Sequence, residues 1–273
     1  GGTKKKIILD LKKKYMISKY FRPKKFYKLI RIGPRNIGGF VLEEVGFNKS
    51  NCLMSLGIST NIEFELDYFK KKNCKIHMYD HTSGPNFWRN MYYLNMLLFF
   101  KSLITLNLKK FDFSLKQFNS IKKYKNFLLL KKVKFFEEGV GFGRYGADIK
   151  KIIGRAKSKN IMFKINIEHS EYRILDELIK YKRLIDGIVV EFHDADIHKR
   201  LIEKFLKKLC FNVIHVCVSG RDYSGKKIPS SITLTLSKYG KIISQKPNYP
   251  NKFDVYLNKT NSHKYLIDLA KNI

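Results

Sequence analysis

Two short patterns hold residues of the right type and spacing for chemistry. The first runs from Asn51 to Asp80, NCLMSLGISTNIEFELDYFKKKNCKIHMYD: an apolar run passes Ser55 into Gly57, an amphipathic stretch follows, and a second apolar run stops on Asp80. A strand entering a glycine brings backbone close to a ligand and turns into a helix whose first N–H groups have no partner. An acid about 20 residues past the turn is placed to accept from a ribose hydroxyl. Only one glycine stands where a dinucleotide fingerprint has three, so a plain strand-to-helix turn with Asp80 as a cap is the competing reading.

The second pattern is a pair of strands that end in acids. Residues 161–167 run into Glu168-His169-Ser170-Glu171, and residues 187–190 run into Glu191-Phe192-His193-Asp194. Ligands of open α/β sheets gather outside the carboxyl ends of the strands, so Glu168, Glu191, His193 and Asp194 are expected near Gly57 and Asp80. His193 is the expected general base, with His81 and His169 next in line. Glu168, Glu191 and Asp194 are expected either to hold a divalent cation such as magnesium or to orient that histidine.

Positioning these residues requires alternating strands and helices. Strands are expected at 51–56, 74–79, 133–137, 161–167, 186–192, 211–218 and 231–237, and helices near 61–71, 87–106, 148–159, 171–183 and 196–209. That alternation predicts a Rossmann-like α/β fold, a mostly parallel seven-stranded sheet with an antiparallel edge strand. Residues 1–48 read as a basic N-terminal extension with a glycine-bearing loop, RIGPRNIGGF, in which Arg31 and Arg35 can close over a substrate; residues 49–273 read as the domain. A literal GxGxxG at Gly141–Gly146 follows the third strand rather than the first and reads as a mobile loop beside the pocket. The apolar stretch 91–108 carries Lys101 and two asparagines and reads as a buried helix rather than a membrane span.

The chain has a formal charge of +32, from 55 Lys plus Arg against 23 Asp plus Glu. Only ten of the basic residues are arginine, and alanine occurs four times, the bias of an AT-rich coding sequence. Arginine is the residue of bidentate phosphate and base recognition, so the excess of lysine predicts diffuse attraction to anions and no sequence-specific nucleic-acid readout. The lysine-rich first thirty residues read as a solvated amphipathic helix, with weak contact to an anionic membrane surface as the alternative. Cys52, Cys74, Cys210 and Cys217 show no paired spacing and read as reduced residues of a cytoplasmic protein, peripheral to the membrane at most.

The segments KLIRIGPRNIGGF, LMSLGISTNIEFELDYF, HMYDHT, FKINIEHSEYRIL, IVVEFHD, FNVIHVCVSG and KPNYPNKFDVYL, in that order over residues 30 to 260, resemble the FkbM-type methyltransferase-like proteins often found in bacterial surface-polysaccharide gene clusters. The resemblance implies a class I fold, S-adenosylmethionine as donor, and O-methylation of a sugar hydroxyl on a glycan or sugar nucleotide. It makes Gly57 the cofactor-turn glycine and Asp80 the ribose acid, with Ser55 at the end of the first strand. On the fourth strand, Asn166, Glu168 and Glu171 match an Asp-Ile-Glu-Gly-Ser/Ala-Glu run, assigning Asn166 and Glu168 to the cofactor and Glu171 to the substrate. Asn166 replaces its aspartate and His169 its glycine. Two readings from other classes stand beside it: an RNA-binding or RNA-modifying protein, and a non-catalytic methyltransferase-like module.

Overall fold

The computed structural model describes residues 14–15, 17–35, 38–218, 223, 228–245, 253 and 266–267. Most of the expected N-terminal helix lies outside these residues. The part described is a two-residue strand at Lys14–Tyr15, a 3-10 turn at Lys19–Phe21 and a short strand at Phe26–Tyr27.

The domain is built on seven strands: β1 (Cys52–Leu56), β2 (Lys75–Tyr79), β3 (Val133–Phe136), β4 (Ile161–Ile165), β5 (Ile185–Phe192), β6 (Asn212–Val218) and β7 (Ile232–Ser237). They lie in the order β6-β7-β5-β4-β1-β2-β3. Every pairing from β5 to β3 is parallel, and β7 runs antiparallel between β5 and β6. The antiparallel element at this end of the sheet is thus the last strand, inserted beside the edge. Strands β1 and β4 are buried at every position, as parallel strands covered on both faces must be, and this is why they read as unbroken apolar runs.

The described residues hold seven α-helices, α1 (Glu44–Lys49) before the first strand and, between strands, α2 (Glu63–Lys72), α3 (Pro85–Ile104), α4 (Leu108–Leu128), α5 (Ile149–Ala156), α6 (Leu175–Lys180) and α7 (Lys199–Leu209). On one face of the sheet α5, α6 and α7 pack Ile152, Leu178 and Phe205 against Phe163 and Ile188. On the other, α2 and α4 pack Phe64, Tyr68 and Tyr124 against Leu53 and Met78. Helix α2 ends on Asn73 in the left-handed conformation, a residue tolerated there because its short polar side chain bonds locally.

Helix α4 had no counterpart in the sequence reading. Its buried positions are Ser114, Ile121, Tyr124 and Phe127, set among lysines, so the apolar seam is short and starts on a serine. It forms an antiparallel pair with α3, whose inward positions Trp88, Asn95 and Ser102 recur every seven residues. Asn95 Nδ2 donates to the Ser114 carbonyl at 2.9 Å. Of the rest of α3, expected to be buried, Phe87, Met91, Met96 and Phe99 are half-buried and the other large apolar side chains are exposed.

The segment before β1 is part of the domain. Leu29–Ile32 and Phe40–Glu43 form an antiparallel hairpin over β6 and β7, where Thr235 Oγ1 donates to the Val41 carbonyl and Ser237 Oγ to Glu43. Gly33 N donates to Asp67 of α2 at 2.8 Å, fixing the other end of the hairpin.

Candidate active site

Chain order reverses between β1 and β4: β2 and β3 lie on one side of this pair, and β5 onward on the other. At such a switch point the loops leave the sheet in opposite directions and open a crevice at the carboxyl ends of the strands. The cavity found there has a volume of about 660 Å³ and is lined by the ends of β1, β2, β4 and β5 and by the 29–43 hairpin. That volume falls within the range of about 300 to 1,000 Å³ usual for small-molecule sites.

Gly57 stands at the switch point. Its φ is +77°, and a Cβ added there would lie 1.7 Å from the Asn166 carbonyl oxygen, so the two strand ends can meet only through glycine. Asn166 N donates to the Leu56 carbonyl at 2.9 Å, and Gly57 N to the Tyr79 carbonyl at 2.9 Å. The loop after Gly57 is held by Asp80. One carboxylate oxygen accepts from the amides of Ile58 (2.8 Å) and Ser59 (2.7 Å), the other from Thr82 N (2.7 Å) and Thr82 Oγ1 (2.6 Å). Burial pulls this carboxyl upward, but the four hydrogen bonds outweigh burial and hold it below the usual carboxylate range. Asp80 lines the cavity yet spends both oxygens on the loop, as a cap does, rather than presenting them to a sugar.

The floor holds a group the sequence reading passed over. Lys164, in the middle of β4, is buried; its ammonium donates to the Gly57 carbonyl and lies 3.9 Å from Glu65 of α2. Glu65 is itself fully buried and accepts from Ser55, whose hydroxyl faces the helix and not the cavity. Burial lowers the Lys164 pKa despite the nearby Glu65, Glu191 and Asp80. A lone lysine in the apolar run IMFKI was the available signal, because a charge in a doubly covered strand must be paired.

Of the acids at the strand ends, Glu168 and Glu191 reach the cavity. Glu191 accepts from Asn166 Nδ2 at 3.1 Å and lies opposite Thr233 of β7. Asn166 Oδ1 is buried without a partner among the described residues. His193 lies behind this wall: its Nδ1 is 2.9 Å from buried Glu171 and its Nε2 is 3.4 Å from exposed Glu168. Glu171 also accepts from Ile167 N, so it serves the turn and has no face on the cavity. Asp194 is paired with His169 at 2.9 Å on the surface. Glu168, Glu191 and Asp194 therefore go to three different partners, and no group of three His, Cys, Asp or Glu suited to a metal ion occurs among the described residues. In the turn after β4, Glu168 and His169 both have positive φ.

Burial opposes charge on His193, but the hydrogen bond to Glu171 and the carboxylates of Glu168 and Glu191 outweigh burial and raise its pKa above 6.5. A raised folded-state value means stability fully present below the unfolded value and lost as pH rises through the folded one. Urea unfolding followed from about pH 5 to about pH 9, which brackets the ordinary histidine pKa of about 6.5, should therefore show a fall in stability that His193→Gln removes. An unchanged slope in the variant would show that His193 is not the charged partner of Glu171.

The remaining expected residues divide between wall and surface. His81 lines the cavity with its ring 5.2 Å from that of Phe142. Arg31 lines it too, but its guanidinium donates to the carbonyls of Pro34, Gly39 and Phe253 and so organises the glycine-bearing loop. Arg35 is exposed away from the cavity. In the second glycine cluster, Gly139, Val140 and Phe142 contribute to the wall, and Ala147 N closes the loop onto the Gly139 carbonyl at 2.8 Å. Glu138, beside it, is gripped by Arg155 through two hydrogen bonds of 2.8 and 3.0 Å. Of the four cysteines, all free, Cys52 and Cys74 are buried and Cys210 is exposed.

No family model matches the sequence, and no curated protein is significantly similar to it. Solved structures overlap it in part. A precorrin-6y C5,15-methyltransferase from Geobacter metallireducens is 13% identical, over 70% of this chain and 82% of that one, with a TM-score of 0.36. The METTL16 MTase domain is 10% identical, over 70% of this chain and 61% of that one, with a TM-score of 0.41. An rRNA methylase from Streptococcus thermophilus is 6% identical, over 70% of this chain and 88% of that one, with a TM-score of 0.36. Overlap this partial decides nothing about chemistry; the strand order and the contents of the cavity must do so.

Proposed function

We propose that the chain is an S-adenosylmethionine-dependent methyltransferase acting on a hydroxyl of a glycan or sugar nucleotide. The observation that carries the reading is the cavity at the β1/β4 switch point of a seven-stranded sheet whose last strand is reversed, the architecture of class I methyltransferases. The residues present fit a nucleoside donor on the β1–β3 side. Phe142 and His81 offer aromatic faces for a base, the Arg155-held Glu138 offers an acceptor, and Asn166 Oδ1 is a buried acceptor without a donor among the described residues. Asp80 holds the loop that would cradle the donor rather than the ribose itself.

When bound, the donor supplies a methyl group already activated on a sulfonium. The protein is left to align the acceptor, exclude water and take one proton. Glu191 is the carboxylate placed for that proton, held by Asn166 and facing Thr233. His193, half-buried behind Glu168 and hydrogen-bonded to Glu171, is a positioning residue. Glu168, Glu191 and the Thr233 and Thr235 hydroxyls give this half of the cavity a lining that accepts hydrogen bonds from hydroxyls.

A net charge of +32 favours the second reading, RNA modification. Calorimetric titration with S-adenosylhomocysteine, followed by transfer of labelled methyl to sugar nucleotides and to total RNA, separates the two. Binding with label in the sugar fraction supports the proposal. Label in RNA alone shifts the acceptor class, and absence of any donor binding leaves a non-catalytic module.

A further inference from the structure

The helical pair α3–α4 presents to solvent what a folded chain normally hides. On α3, Tyr93, Leu97, Phe100 and Ile104 follow at intervals of four, three and four, which places them on one stripe of the helix. This stripe lies away from the inward positions Trp88, Asn95 and Ser102 and is open: Leu97 is 68% exposed and Ile104 84%. The turn between the helices continues it, with Leu106 85% and Leu108 80% exposed. Leu106 has φ +48°, a conformation for which glycine or asparagine is the ordinary choice, so an exposed leucine there answers to something other than the turn itself. Contiguous apolar surface of this kind marks a contact face. No described helix is long and apolar enough to cross a membrane.

Charge decides the occupant. Helix α4, the partner of α3, carries Lys109, Lys110, Lys116, Lys122, Lys123 and Lys125 against the single acid Asp112; Lys116 pairs with Asp112 and Lys123 with Glu63 of α2. A second copy of the chain would bring another +32 against these lysines. RNA would match the charge but has no apolar surface to cover Leu97, Phe100, Ile104, Leu106 and Leu108. A bilayer with anionic headgroups supplies both, and an aromatic and aliphatic stripe flanked by lysines is the pattern of a helix lying in its interface. We infer that α3–α4 docks on an anionic lipid surface, with the α3 stripe and the turn in the acyl boundary and the α4 lysines on the headgroups. The inference is independent of the reaction assigned to the cavity.

The test is sedimentation of the full chain with vesicles of phosphatidylcholine alone and with added phosphatidylglycerol. Binding to the anionic vesicles is expected to exceed binding to the neutral ones by about tenfold or more and to weaken with salt. Leu97→Ser/Phe100→Ser/Ile104→Ser should reduce it by about a hundredfold, since three large side chains lose their burial. All three positions face solvent, so circular dichroism and melting temperature should stay as in the parent. Absence of binding to either vesicle overturns the inference, and so does anionic binding that the triple variant retains, which would move the contact to the lysine-rich N-terminal residues. Dimerisation that the triple variant abolishes, or RNA binding in place of vesicle binding, overturns it in favour of a second copy or of nucleic acid.

Discussion

Lys164→Met is expected to destabilise the domain by about 3 to 5 kcal/mol, the usual result of removing one partner from a buried ion pair. Among the described residues Glu65 would remain fully buried and accept from Ser55 alone, its other oxygen already without a partner there. The Gly57 carbonyl would lose its donor at the point where β1 and β4 separate. Methionine fills nearly the same volume, so a cavity term contributes little and the loss reports the charge. Lys164→Met/Glu65→Gln should recover much of the stability, because the orphaned charge goes with the second change. Denaturant melts of the four proteins in a double-mutant cycle measure the coupling directly. If the single variant melts with the parent, Lys164 and Glu65 are not a buried pair. The same arrangement explains why a lysine is found on the floor of a cavity: it ties the first turn of α2, the glycine turn and the centre of the sheet together.

Glu191→Gln is expected to lower kcat for methyl transfer by about a hundred- to ten-thousandfold, the range for loss of a general base, with donor affinity nearly unchanged. The substitution is close to isosteric, and the new amide oxygen still accepts from Asn166, so the wall keeps its shape while losing the proton acceptor. Measured against the acceptor found in the labelling experiment, a drop in kcat without a rise in donor Kd supports the assignment. Full activity in the variant removes Glu191 as base and leaves His81 and His215, the two histidines among the described residues that line the cavity. His193→Ala is informative beside it: a residue that acts through Glu168 and Glu171 should shift the pH profile more than it lowers the maximal rate.

The strands were legible because burial on both faces of a parallel sheet leaves one mark in sequence, an apolar run with a sharp end. β1, β2 and β4 begin within one residue of the expected positions, and the reversed last strand is present. The cavity's position at the carboxyl ends followed from that alternation. Side-chain direction did not. Asp80 stands at the expected distance from Gly57, but whether its oxygens face a ligand or the amides of Ile58 and Ser59 depends on how the loop folds back, a matter of three-dimensional distance. Glu191 is the last but one residue of β5 and keeps the strand's alternation toward the cavity. His193 follows the end of that strand, and Asp194 with φ +48° turns the chain away. Helix α4 escaped notice because only Ile121, Tyr124 and Phe127 in its second half reach the apolar core, while its first half turns the polar Ser114 to Asn95 of α3, which leaves a short apolar period among lysines. The sequence by itself determined the order of elements and the end of the sheet where ligands collect. Tertiary structure alone decided which charges meet, because a pairing across 25 residues, as between Asn166 and Glu191, or across 99, as between Glu65 and Lys164, is made by the sheet and not by the spacing.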